Sequence, residues 1–226
     1  MHIKVDLKIF LFAIIFIITK NIKIYTLLMF FAVIHEVGHL ICGLVLGFKP
    51  KVITIMPYGI KLNFKINYDD YNRKVRKGSL LSIKKILIAL AGPMTNLIIA
   101  LITIILKINK IETNFLGFNS EEIVYSNIII GIFNLIPIYP MDGGKIIKEL
   151  LHISLGLRKS YKYIQDISWI SIAVLSAITS ILILYSKNIA ILITLLYLWI
   201  LTCKSEREFS IKEQIYNNLE KMKKIE

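Results

Sequence analysis

The sequence predicts an all-α polytopic membrane protein with about six transmembrane helices and a short membrane-associated β-hairpin between spans two and three. Three observations carry this prediction. Apolar residues make up 56% of the 226 residues and mean hydropathy is +0.67, more apolar than an ordinary soluble domain. The apolar residues gather in runs of roughly bilayer length, near 20 residues. The basic residues fall on alternate loops, which gives the runs a consistent orientation.

The runs lie at about 7–20, 24–47, 84–106, 122–141, 166–186 and 188–203. The first resembles a signal peptide in outline, but it has no Ala-x-Ala-like cleavage site and is followed at once by Lys20 and Lys23, so it reads as a retained span. Of the 28 Lys and Arg residues, 23 sit at the N-terminus, around the loops after spans two and four, or in the tail; 5 sit on the other side. The positive-inside rule then places both termini in the cytoplasm, and an odd number of spans would spoil the alternation. Residues 1–203 form the membrane domain, and 204–226 a charged cytoplasmic tail with a weak apolar helical stripe.

The net charge of +13 fits basic loops facing anionic lipid. No basic cluster is interleaved with aromatics, so no nucleic-acid partner is expected. Cys42 and Cys203 each sit alone in an apolar run and imply no disulfide framework. His2 and His152 are expected in an unstructured terminus and a cytoplasmic loop. Trp169 and Trp199, near span ends, suit interfacial anchoring.

Between spans two and three, Ile60, Leu62, Phe64, Ile66 and Tyr68 alternate with Lys61, Asn63, Lys65 and Asn67. That period of two is a half-buried strand. The β-rich Val52–Met56 precedes it, with turn chemistry at Pro57–Gly59. The hairpin either caps the bundle or holds an extended peptide by strand addition.

The chemistry starts in span two, where His35, Glu36 and His39 interrupt apolar sequence. Histidines four apart on a helix share a face one turn apart, which lets two imidazoles grip one zinc ion. Glu36 follows the first of them, in the position of a general base in His-Glu-x-x-His. Ionisable groups inside a span cost several kcal/mol, so they mark function by default. A catalytic zinc needs a third protein ligand and an open position. Cys42 is short and a full turn beyond His39. Asp142 is the better candidate, because Pro137 and Pro140 break the fourth helix just before it and Gly143 and Gly144 permit a sharp turn after it. Broken backbone at membrane depth implies a wet pocket inside protein.

His-Glu-x-x-His in an early span, Ala91-Gly92-Pro93-x-x-Asn96 in span three and Asn134-x-x-Pro137-x-x-Pro140-x-Asp142-Gly143 later resemble, in order, the motifs of the site-2 protease family of intramembrane zinc metalloproteases. The resemblance implies Zn2+ held by His35, His39 and Asp142, with Glu36 as the base. Asn134, Asn96, Pro137 and Pro140 would line the substrate pocket. It further implies a membrane-associated protein substrate and inhibitory membrane proteins, and it allows a homo-oligomer. The six spans, the hairpin and the charged last helix are similar to the sporulation branch of the family, whose members release sigma-K from its membrane-associated precursor. In a sporulating cell that would place the chain in the outer forespore membrane, termini toward the mother cell. Larger relatives carry a C-terminal CBS domain; this chain ends at Glu226 without one, so nucleotide control through that domain is not expected. A site-2-type protease for another membrane regulator is one alternative. An intramembrane metal-binding or transport protein is another, but the spans offer few further ionisable residues for an ion path.

Overall fold

The computed structural model describes residues 2–5, 22–56, 59–65, 78–111, 117–186 and 189–223. In chain order these form β1 (His2–Val5), α1 (Ile22–Val45), β2 (Lys49–Met56), β3 (Gly59–Lys65), α2 (Gly78–Ile108), α3 (Ser120–Leu135), α4 (Asp142–Leu155), α5 (Leu157–Ser186) and α6 (Ile189–Lys223). They fall into two units, Met1–Leu135 and Ile136–Glu226.

In the first unit, α1, α2 and α3 pack together beside a three-stranded sheet of order β1-β2-β3. β2 and β3 pair antiparallel from Lys49↔Lys65 to Met56↔Gly59, with an irregularity between Pro50 and Val52. β1 pairs parallel to β2, from His2↔Val52 to Val5↔Ile55. His2, expected in an unstructured terminus, therefore lies in a strand. Residues 66–68, expected to extend the hairpin, and the first expected span lie outside the described residues.

The burial pattern is inverted relative to a soluble protein. Leu27, Phe31, Phe118, Ile123 and Ile130 form a small apolar cluster. Beside it the buried side chains are polar: His35, His39, Asn96, Ser126 and Asn127. The exposed ones include Val37, Ile41 and Leu44 of α1 and Leu87, Ile98, Leu101 and Ile102 of α2. Such a surface suits lipid, where an exposed Leu costs nothing and a polar group must find its partner inside. Helices approach closely at Gly38, where a Cβ would meet the Thr95 side chain and lie 3.0 Å from the Ala91 carbonyl oxygen. Small residues at helix contacts are how membrane bundles gain packing without a hydrophobic drive.

In the second unit α4 packs on α5 and α5 on α6. Trp169 and Trp199 meet edge to face, 5.2 Å between centroids, and the Trp199 indole N–H donates to Ser176 Oγ at 3.2 Å. Lys148 and Glu149 of α4 are buried. The Lys148 ammonium lies 4.4 Å from the centre of the Tyr161 ring and 3.3 Å from Glu149 Oε1. Burial disfavours its charge, but Tyr161, Tyr139 and Glu149 outweigh that and hold it above the ordinary lysine range. His152 sits 3.5 Å from Glu149 Oε2 on the same helix.

Three described helical segments are long and apolar enough to cross a membrane: Ile22–Val45, Leu80–Ile108 and Leu157–Ile183. Two boundaries differ from the sequence expectation. The run at 122–141 is helical only to Leu135, because Pro137 and Pro140 lack the N–H groups a helix there needs. The expected last span and the charged tail are one helix of 35 residues. Helix propensity does not fall at Lys204, since Lys, Glu and Arg all favour helix.

Candidate metal centre

His35 and His39 lie on the buried face of α1, at 3% and 5% exposure. Their rings meet nearly at right angles, 4.7 Å between centroids, and the two Nε2 atoms are 3.1 Å apart. What the second nitrogen of each ring touches fixes its tautomer. His39 Nδ1 is 2.6 Å from the Ile88 carbonyl oxygen. A carbonyl can only accept, so the His39 proton sits on Nδ1. The Gly92 N–H, 3.3 Å from the same nitrogen, is too long a contact to compete. His35 Nδ1 is 2.7 Å from Asn96 Oδ1, which places its proton on Nδ1 too. Both Nε2 atoms then present lone pairs to one point in a buried site.

Two lone pairs that close repel unless a cation lies between them. With zinc–nitrogen bonds of roughly 2.0–2.1 Å, a tetrahedral ion separates two ligand nitrogens by about 3.3 Å. The pair therefore fits a metal by donor type, tautomer and spacing. Gly92 of α2 makes room for it. A Cβ there would meet His39 Nε2 and lie 2.6 Å from His35 Nε2. Glu36, the next residue after His35, is half-buried.

Asp142 lies in the second unit as the first residue of α4, 3% exposed. A carboxylate at a helix N-terminus is favoured by the helix dipole. Its Oδ1 accepts from Lys145 Nζ at 2.8 Å. The residues before it form a compact turn. The Met141 N–H donates to the Ile138 carbonyl at 2.8 Å and the Tyr139 N–H to Ser168 Oγ at 2.9 Å. Ile138 is fully buried, Pro137 and Pro140 are half-buried, and the Tyr139–Pro140 peptide is cis. Gly144 closes the turn: a Cβ would lie 2.5 Å from Ile138 C and O and from Tyr139 N. These are backbone atoms and cannot swing aside. Gly144→Ala is expected to cost about 1–3 kcal/mol of stability through overpacking and to displace Asp142. Thermal unfolding in detergent with parallel zinc analysis checks this; unchanged values would show that the turn yields freely.

The expected pocket residues divide. Asn96 is fully buried in α2, with its carbonyl oxygen against His35, a place suited to orienting a ligand. Asn134 is half-buried at the end of α3 and donates to the Ile130 carbonyl of its own helix at 3.0 Å. Cys42 and Cys203 are free thiols. Gly92 was legible only as part of the Ala91-Gly92-Pro93-x-x-Asn96 motif, with no role of its own, and Asn127 not at all. The only signal for Asn127 was an amide inside an apolar run, common without function.

The peptidase family M50 model matches residues 114–179, the stretch that holds Asn134, Pro137, Pro140 and Asp142. The chain is 27% identical over 201 residues to the zinc metalloprotease MJ0392 of Methanocaldococcus jannaschii, covering 87% of this chain and 52% of that protein. It is 23% identical over 146 residues to stage IV sporulation protein FB of Bacillus subtilis, covering 64% and 46%. The chain thus spans about half the length of the curated relatives it matches. Its fold is similar to the solved site-2 protease of M. jannaschii, with a TM-score of 0.63, 26% identity and coverage of 90% of this chain and 89% of that one. With the paired imidazoles on α1 and the proline-broken turn before Asp142, the chain is similar to peptidase family M50 over residues 114–179 and, in fold, to a site-2 protease.

Proposed function

We propose that this chain is an intramembrane zinc metalloprotease that hydrolyses a peptide bond in a membrane-associated protein. The observation that carries the reading is the pair of buried imidazoles whose Nδ1 protons are both committed, to Asn96 and to Ile88, leaving two Nε2 donors for one ion. His35 and His39 supply two ligands and Asp142 the third. Each of the three is buried, and each is of a type that zinc takes as a ligand. Bound zinc supplies Lewis-acid polarisation of the scissile carbonyl and a more acidic water at neutral pH.

The remaining steps belong to the chain's own groups. Glu36 takes the proton of the attacking water and returns it to the leaving amine. Asn134, whose amide oxygen takes no part in its bond to Ile130, orients the substrate backbone together with the Pro137–Pro140 turn. Asn96 acts from behind the site, on His35. A helical substrate hides its carbonyls, so it must be unwound, and strand addition to β3 is the means. Six spans with cytoplasmic termini fit the sheet, because hydrogen-bonded strands cannot straddle a bilayer. In support, the β1–β2 pairing ties residues 2–5 to the hairpin, and the loop charges favour a cytoplasmic side for both.

Within this reading, a sigma-factor precursor during sporulation is the favoured substrate, supported by the likeness to stage IV sporulation protein FB. Full-length protein, purified, stripped with a chelator and given zinc again, should lose and regain cleavage of a membrane-tethered sigma-factor precursor. Asp142→Asn should lower both activity and bound zinc. Cleavage that survives chelation would end the metalloprotease reading. Cleavage of other tethered regulators but not of the precursor would end only the sporulation part.

A further inference from the structure

The tautomer of His35 is set at a distance. Asn96 Oδ1 faces His35 Nδ1 at 2.7 Å only because the Asn96 amide is turned one way round. Flipped by half a turn, it would offer its NH2 group instead. That group would demand an acceptor at Nδ1 and push the proton onto Nε2, where it would block a metal. A primary amide presents nearly the same shape both ways, so the choice falls to its other partners.

The main partner is Asn127 of α3. Asn96 Nδ2 donates to Asn127 Oδ1 at 2.8 Å. Asn127 is itself a two-way amide, but its Nδ2 lies 2.9 Å from the Ile123 backbone carbonyl. That carbonyl can only accept, so the Asn127 nitrogen must point to it and its oxygen to Asn96. The chain of logic starts at a backbone atom and ends at the zinc-facing nitrogen. Both asparagines are fully buried, out of reach of bulk water as a substitute partner. The Phe31 carbonyl, 3.5 Å from Asn96 Nδ2, is too far to hold the amide alone.

We infer that Asn127 is a positioning residue for the metal centre: through Asn96 it fixes His35 as the Nδ1–H tautomer and keeps Nε2 unprotonated. It touches neither ligand nor substrate. A mere packing residue at this place would be apolar, like Ile123 and Ile130, the buried isoleucines of the same helix. Two linked amides inside a membrane bundle are costly unless each end is satisfied, and here each end is. The inference rests on the reading of His35 as a zinc ligand.

The test uses Asn127→Leu, which keeps the number and branching of the side-chain heavy atoms and is compatible with helix and lipid. It is made in the natural background and together with Asn96→Asp. A carboxylate at position 96 is acceptor-only, so it holds the Nδ1–H tautomer whatever stands at 127. Zinc affinity of the full-length protein is measured by chelator competition. Asn127→Leu should weaken zinc by ~10- to 100-fold with Asn96 present, the usual scale for outer-shell changes. In the Asn96→Asp background it should weaken zinc by less than ~3-fold, a non-additivity that marks coupling. 15N spectra of metal-free, histidine-labelled protein give a second readout. His35 should leave the Nδ1–H form in Asn127→Leu and regain it in the double variant. Equal loss in both backgrounds, or no loss in either, overturns the relay. Zinc binding that survives His35→Ala overturns instead the ligand assignment beneath it.

Discussion

Replacing Glu36 with glutamine is expected to remove peptide hydrolysis while zinc content stays at the wild-type level. Glutamine keeps the length, the planar end and one carbonyl oxygen, but it cannot take a proton from water. A positioned general base contributes ~10²- to 10⁴-fold in rate, and the variant should lose an amount in that range. The metal should remain, because the donor nitrogens belong to His35 and His39, whose rings are held by Asn96 and Ile88. The two readouts must therefore separate. Initial rates on a tethered substrate, with metal analysis of the same preparation, check this. Cleavage at the wild-type rate with full zinc would show that the base lies elsewhere. Loss of both together would make Glu36 a structural support of the site.

Much of this site was legible because its chemistry depends on spacing within one helix. His35 and His39 share a face by the period of the helix alone, and the cost of placing them in lipid argues for function. The turn before Asp142 was legible because proline and glycine act locally. Their exact effect on the helix end was not, since the apolar run continues to Met141 while the helix stops at Leu135. β1 was invisible because four residues carry no periodic pattern, and its partner β2 lies some fifty residues away. Asn127 was invisible for a related reason. Its meaning comes from Asn96, 31 positions earlier, and through it from His35. An amide in an apolar helix states a need for partners but does not name them.

Gly92→Ala is expected to lose zinc altogether in a protein that still inserts and folds. The added methyl would be built at the point the two imidazoles share: it meets His39 Nε2 and lies 2.5 Å from His39 Cε1 and 2.6 Å from His35 Nε2. Neither ring can yield without surrendering its Nδ1 hydrogen bond to Asn96 or to Ile88. Even if the rings moved, the methyl would stand where the ion must. Alanine favours helix over glycine by about 1 kcal/mol, so the change should not unfold α2. The loss of zinc affinity should exceed the ~10- to 100-fold typical of outer-shell changes, and activity should fall with it. Gly131→Ala is the matched control. Its Cβ would meet Leu97 side-chain atoms at 3.4 Å, an ordinary contact, and zinc should be retained. If Gly92→Ala binds zinc as the control does, the ion does not sit between these imidazoles. The result would also give Ala91-Gly92-Pro93-x-x-Asn96 a physical sense. One residue of the motif clears the space for the metal on one side of the histidine pair. The other, a turn later on α2, tells one of those histidines which nitrogen to offer.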